Sequence, residues 1–315
     1  MANLSLEAVN LTKRYGQFTA LDNLNLKIEG TKCVGFLGPN GAGKTTTLKI
    51  FTDMIRPTKG EALINGIPVH KNKRLALAHI GDLIESPEIY PSFTPNEALS
   101  MVADLRGVPK SGKAKRIEEA IAEVKMEEWK DKKVGKFSKG MKQRINIAAA
   151  LLSEPDIIIL DEPTTGLDPR GMSEVREIVK SLKRKSRLIF MSSHLLPEVS
   201  DVCDEVAMID HGKLLVYDTL ENVTAKFSGD GNSTVEVGFS RAVEENLTRN
   251  ISSLSGVISV DKLDSRNLRV KFSGGALTQE RLLSEIGSMK VGALSFRAGA
   301  SALEDTYLNL IKETL

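Results

Sequence analysis

CVGFLGPNGAGKTTTLKI, Cys33 to Ile50, carries the most information of any stretch in the chain. An apolar run, CVGFL, stops at a glycine-rich loop, and a helix-compatible segment follows. Gly38 to Thr45 match the spacing G-x-x-x-x-G-K-[ST], with a strand before and a helix after. Gly38, Gly41 and Gly43 are expected to let the backbone turn so that its N–H groups point inward, with Pro39, Asn40 and Ala42 between them. Such donors, together with the N-terminus of the next helix, suit a polyphosphate. Lys44 would reach the outer phosphates, the Thr45 hydroxyl would ligate Mg2+, and Thr46 joins the same nucleotide-contacting group.

A second element completes the pattern. PDIIILDEP, Pro155 to Pro163, is a buried strand ending in two carboxylates. In an apolar core an uncompensated pair would be costly. Beside a metal-phosphate site it has a use. Asp161 would hold Mg2+ through water, and Glu162 would orient or deprotonate an attacking water. The two elements together predict binding and hydrolysis of a nucleoside triphosphate.

Outward from this pair, the apolar runs CVGFL, IIIL, RLIFMSS and EVAMI alternate with longer amphipathic stretches. That alternation predicts an α/β core with a largely parallel sheet. Residues 87–137 read as mostly helical, with Ile117, Ile121 and Val124 at helical spacing. The basic cluster Arg106, Lys110, Lys113, Lys115 and Arg116 is followed at once by Glu118, Glu119 and Glu123, as on a solvated face. SGDGN, Ser228 to Asn232, has the composition of a turn or linker. Beyond it the segments read β-α-β-β-α-β and then a closing helix, SALEDTYLNLIKE, which fits a small ferredoxin-like α+β domain. The expected domains are residues 1–227, with a helical subdomain at about 87–153, and residues 232–315.

Bulk properties narrow the function classes. A net charge of +2 supplies no strong field for nucleic acid, and aromatics at 5% are few for base-stacking platforms. No nucleic-acid partner is expected. The two cysteines, Cys33 and Cys203, belong to no CxxC or Cys/His cluster and read as buried small hydrophobes in a reducing cytosol. No apolar stretch approaches the roughly 20 residues that span a bilayer, and MANLSLEAVNLTKRYG lacks the apolar core of a signal peptide. The expected location is cytoplasmic, with any membrane role supplied by a partner.

KFSKGMKQRINIAAALLSEP, just before the carboxylate strand, resembles the ATP-binding-cassette (ABC) ATPases. Phe137 to Met141 are similar to a variant of their LSGGQ signature, with Lys139 where glycine is usual and Met141 where glutamine is usual. TTGLDP, Thr164 to Pro169, resembles their D-loop, with Asp168 as its acid. His194 in MSSHLLPEV resembles their switch histidine, and Tyr15 in TKRYG the aromatic that stacks on adenine. The resemblance runs through residues 4–225. It implies a P-loop NTPase cassette with ATP and Mg2+ as ligands, and two cassettes paired head to tail on ATP binding, as a homodimer or a paired cassette. Ser138 and Gly140 of one would then close on the phosphate held by Lys44 of the other, while His194 senses the γ-phosphate and acts with Glu162 and Lys44 in hydrolysis.

Glu85 stands where the family commonly has the glutamine of its Q-loop. A carboxylate there could still join the magnesium shell, since its oxygens suit a hard cation. LIESPE followed by YPSFTPNEAL resembles the bacitracin- and lantibiotic-type export ATPases, and SALEDTYLNLI resembles the ending of drug-export cassette subunits. The resemblance therefore implies the ATPase subunit of an exporter, joined to an integral-membrane permease and peripheral on the cytoplasmic face of the membrane. The alternatives are an importer ATPase or a soluble ABC ATPase of translation or DNA repair. The last needs a long coiled coil between phosphate loop and catalytic strand, and no sustained heptads occur there.

Overall fold

The run Cys33–Ile50 folds as strand, loop and helix at the centre of a parallel sheet. The computed structural model describes residues 4–85, 88–227, 232–274 and 276–298. The chain divides into two compact units, Met1–Leu220 and Glu221–Leu315, so the division falls before the Ser228–Asn232 cluster.

In chain order the first unit contains β1 (Ser5–Tyr15), β2 (Phe18–Glu29), β3 (Cys33–Leu37), α1 (Lys44–Phe51), β4 (Lys59–Ile64), β5 (Ile67–Pro68), α2 (Lys73–Ala76) and β6 (Ile80–Leu83). It continues with α3 (Pro95–Leu105), α4 (Lys110–Glu123), α5 (Lys139–Leu151), β7 (Ile157–Leu160), α6 (Pro169–Lys183), β8 (Leu188–Ser193), α7 (Leu196–Val202), β9 (Glu205–Asp210) and β10 (Lys213–Thr219). The main sheet has the order β10-β9-β3-β8-β7-β6. Its neighbours are parallel except for β10, an antiparallel edge strand. Every residue of β3, β7 and β8 is buried. A strand covered on both faces reads as a near-continuous apolar run, broken here only by Ser192 and Ser193 at the end of β8, which is why these runs stand out in the sequence.

The expectation of one largely parallel sheet was incomplete. A second sheet, β2-β1-β4-β5, is wholly antiparallel. One of its faces is buried, so its signal is a period of two: Leu24, Leu26 and Ile28 point inward while Asn25, Lys27 and Glu29 are exposed. Leu6, Leu11, Leu21, Leu24 and Ile28 of this sheet share one core with Phe36, Leu48, Phe51 and Phe190. The Phe36 and Phe190 rings lie 5.1 Å apart, and Phe51 meets Phe190 edge-on at 6.2 Å. Phe190 is fully buried at this junction. Phe190→Ala is expected to destabilise the chain by about 3–5 kcal/mol through the cavity it leaves. A fall in the urea midpoint at unchanged m-value would register this; an unchanged midpoint would contradict the packing.

The stretch read as helical carries α3 and α4. Thr94 starts α3 with a reciprocal cap: its hydroxyl accepts from Glu97 N at 3.2 Å, and the Glu97 carboxylate accepts from Thr94 N at 2.7 Å. Ile117 and Ile121 of α4 are buried, with Val124 just past its end. The basic cluster is spent locally. Lys113 pairs with Asp104, Arg116 with Glu119 and Glu154, and Arg106 reaches Ile80 O and Asp82 in β6. Cys33 and Cys203 are both buried, their sulfurs 3.5 Å apart, and the contact with Cys33 together with burial pushes the Cys203 thiol up.

The second unit begins within α8 (Leu220–Phe227), at Glu221. It contains β11 (Asn232–Phe239), α9 (Glu245–Ser252), β12 (Val257–Lys262), β13 (Asn267–Ser273), α10 (Ala276–Ser288) and β14 (Ala293–Ala298). The sheet order is β12-β13-β11-β14 with every neighbour antiparallel, the split β-α-β arrangement of ferredoxin-like domains. Val235, Val237, Val270 and Phe272 form its core with Ile251 of α9 and Leu282 and Ile286 of α10. The closing helix expected at SALEDTYLNLIKE and most of the Ser228–Asn232 linker lie outside the described residues.

Candidate functional site

The phosphate loop runs from the C-terminal end of β3 into α1. Gly41 and Gly43 adopt left-handed backbone angles, φ 84° and 106°, which side chains oppose. Gly38 does not, which corrects the expectation that all three glycines serve the turn. A Cβ on Gly38 would lie 2.3 Å from Ile209 O, so this position is glycine because β9 passes too closely for any side chain. Gly43 precedes α1, and the Thr47 hydroxyl donates to Gly43 O at 2.9 Å.

Lys44 is 5% exposed. Its ammonium donates to Gly38 O at 2.8 Å and Pro39 O at 3.0 Å, and lies 3.3 Å from Glu162 Oε1. An ammonium has three protons, and three acceptors surround this one. The loop opens onto a cleft of about 210 Å³ lined by Tyr15, Phe18, Asn40, Gly41, Lys44 and Glu162, with Gly43, Thr45, Thr46 and Ala20. Tyr15 and Phe18 face each other across the β1–β2 hairpin and are exposed at its mouth. Phe18 was not anticipated. The three-residue spacing of two aromatics around Gly16 was the available signal.

Asp161 and Glu162 follow β7. Ser192 of β8 joins them: its hydroxyl donates to Asp161 Oδ1 at 2.5 Å and accepts from Glu162 N at 2.9 Å. Glu162 has φ 42°, an unusual angle for a side-chain-bearing residue. Its Oε2 accepts from the Thr165 hydroxyl at 2.8 Å and lies 3.0 Å from His194 Nδ1. Burial pushes the Glu162 carboxyl up, but the Thr165 hydroxyl, the Lys44 charge and His194 outweigh it and hold it below the usual carboxylate range. The group is therefore an anion at neutral pH. Lys44, Glu162 and His194, far apart in sequence, form one contiguous cluster.

The other predicted residues sit elsewhere. Ser138 caps α5, accepting from Met141 N at 3.2 Å, and Asp168 caps α6, accepting from Gly171 N at 3.2 Å. The two helix starts touch at Gly140, where an added Cβ would lie 3.2 Å from Gly171 Cα. Ser138, Gly140 and Asp168 are not among the residues lining the cleft, and neither are Gly38, Pro39 and Ala42. The Lys139 ammonium lies over Gly166, 2.4 Å from where a Cβ there would stand. Glu85, at φ 59°, does not line the cleft either; its carboxylate is held by Lys49 of α1 at 2.5 Å.

Oxygen donors suit Mg2+, which takes few protein ligands and completes its shell with phosphate oxygens and water. Thr45 and Asp161 supply such donors, and the Ser192 hydroxyl orients the carboxylate. Among the described residues no group of three or more His, Cys, Asp or Glu could hold a metal by itself. The donor set fits a cation brought in with its phosphates.

Residues 21–165 match the family model described as ABC transporter. The chain is 43% identical to the bacitracin transport ATP-binding protein BcrA of Bacillus licheniformis, an alignment spanning 67% of this chain and 68% of that one. It is 30% identical to the linearmycin resistance ATP-binding protein LnrL of Bacillus subtilis over 98% of this chain and 99% of the relative. The chain belongs to the ABC transporter ATP-binding proteins. Among solved structures it resembles a dimeric bacterial ABC transporter cassette, with TM-score 0.61 and 25% identity over 68% of this chain and 98% of that one. Its first unit is thus a P-loop NTPase cassette, the fold of the ATP-binding cassettes. In this ABC subunit Gln143 of α5, which sequence reasoning passed over, ties that helix to the carboxylate loop by donating to Pro163 O at 2.9 Å.

Proposed function

We propose that the chain binds Mg-ATP in the Tyr15–Lys44 cleft and hydrolyses it to power an exporter whose membrane-spanning part is a separate permease. The observation that carries the hydrolytic reading is the Glu162 carboxylate, 3.3 Å from the Lys44 ammonium and 3.0 Å from His194. Tyr15 and Phe18 stack the adenine. The loop amides and Lys44 bind the phosphates, and Thr45 and Asp161 hold Mg2+, which shields the phosphate charge. Glu162 accepts the proton of the attacking water, and His194 contacts the terminal phosphate.

Ser138 and Gly140 serve a second copy of the chain. The N-terminus of α5, with its exposed Ser138, is an anion site with no phosphate of its own chain beside it. Head-to-tail pairing would bring it to the partner's ATP, and the dimeric cassette that this chain resembles supports such pairing. Among the described residues no helix is long and apolar enough to cross a membrane; a separate permease is favoured by the relatives, which are named as ATP-binding proteins of transport. The names of the relatives, bacitracin transport and linearmycin resistance, favour export of an antibiotic-like compound.

Purification of the chain from native membranes tests this. Stoichiometric recovery of a polytopic protein supports it; recovery with ribosomes or DNA-repair factors alone would overturn the transport reading. Glu85 marks the coupling segment, because its φ 59° loop joins β6 to the helical region beside Arg106. Glu85→Ala is expected to lower transport in reconstituted vesicles more than it weakens ATP binding, and equal transport by the mutant would refute this role.

A further inference from the structure

Glu198 of α7 is 3% exposed, yet it carries a carboxyl group. Its Oε1 accepts from the Thr164 hydroxyl at 2.5 Å and its Oε2 from the Ser193 hydroxyl at 2.8 Å. Thr164 and Ser193 are themselves buried, each 1% exposed. A carboxyl so placed costs desolvation that an apolar side chain would not. Its partners explain its presence. Thr164 is two residues past Glu162, and Ser193 is the residue before His194. Ser193 also accepts from Leu195 N through its hydroxyl at 2.9 Å and from Gly38 N through its carbonyl at 3.3 Å. One side chain therefore joins the loop after β7, the loop after β8 and, through Ser193, the phosphate loop.

We propose that Glu198 is a positioning residue, whose carboxylate sets the separation of Glu162 and His194 by holding the residues beside them. Glu162 needs such support. Its φ of 42° is a strained angle, which persists only where surrounding contacts impose it. The His194 ring reaches Glu162 from a turn whose Ser193 hydroxyl is oriented by Glu198. If the clamp is removed, the side-chain ties left between the two loops among the described residues are the Glu162–His194 contact itself and the Ser192 hydroxyl.

This inference rests on the ATPase reading, and the experiment separates the two. The full chain and its Glu198→Ala, Glu198→Gln and Thr164→Val variants are compared for phosphate release, for binding of a fluorescent ATP analogue and for Tm. Glu198→Ala is expected to lower kcat about 10–100-fold, with KM and analogue affinity within about twofold of the parent. Glu198→Gln is expected to recover most of that loss. Its amide oxygen still accepts from Thr164, and its NH2 can donate to Ser193 once that hydroxyl turns to Leu195 O, 3.3 Å away.

Thr164→Val keeps the shape and removes one contact, so it should lower kcat less; combined with Glu198→Ala it should lower kcat no further than Glu198→Ala alone. Parent-like kcat in Glu198→Ala, loss of binding in step with kcat, or additive losses in the double variant would each overturn the proposal. Should Glu198→Ala fail to fold, Thr164→Val decides: lowered kcat at unchanged KM supports the clamp, and unchanged kcat overturns it. A parent chain that releases no phosphate would instead remove the ATPase reading.

Discussion

Glu162→Gln is expected to lower ATP turnover by about 10²–10⁴-fold while ATP binding persists. The substitution keeps the size of the side chain and an oxygen for Thr165 and His194. It removes the negative charge that faces Lys44 at 3.3 Å and the basic oxygen that would take the proton from water. Lys44 is then released from an anion that competes with phosphate for it, so affinity for ATP should hold or rise. Binding without turnover should also accumulate ATP-bound pairs of chains. Phosphate release, titration with a fluorescent ATP analogue and light scattering on one preparation report all three. Turnover within tenfold of the parent would remove Glu162 from the role of base, and a strict monomer at saturating Mg-ATP would count against the paired mechanism.

Lys44→Ala should behave differently, because Lys44 is used twice. In this structure its three protons meet Gly38 O, Pro39 O and Glu162, which draws the loop shut around a buried ammonium. With ATP present the same ammonium is the cation for the outer phosphates. Its loss should weaken binding and lower turnover together, with turnover falling about 10²–10³-fold or more. The buried Gly38 carbonyl also loses a donor, which costs about 1–3 kcal/mol of stability if it is left unpaired, whereas Pro39 O keeps Ala42 N and Glu162 keeps Thr165 and His194. Parallel measurement of affinity, kcat and Tm distinguishes the variants: Glu162→Gln separates binding from turnover, and Lys44→Ala does not. Parent-like affinity in Lys44→Ala would show that the loop amides alone hold the phosphates.

Legibility in the sequence followed burial and proximity. CVGFL, IIIL and LIFMSS were readable as strands because both faces of each are covered, so apolar residues run on without alternation until the two serines that end LIFMSS at the site. The β-α-β-β-α-β order of the second unit was readable for a related reason, since short alternating strands and amphipathic helices succeed one another between turn residues. β1, β2 and β4 were harder. Their alternation is broken by register shifts, as between Ala8 and Leu11 in β1, so the period of two loses phase within the strand. Gly38 looked like a turn glycine because the constraint on it comes from Ile209, a residue of another strand.

By itself, the sequence determined the phosphate loop, the paired carboxylates after a buried strand and the α/β class, because each depends on neighbours a few residues apart. Tertiary structure alone decided which groups meet. Ser192 bridges Asp161 and Glu162, Glu198 spans Thr164 and Ser193, and Lys49 holds Glu85. The first two contacts join the ends of the adjacent parallel strands β7 and β8 and the loops beyond them, and the third runs from helix α1 to the end of β6. A parallel sheet aligns such ends only across long crossovers, so no local pattern in the chain records which side chains come within hydrogen-bonding reach.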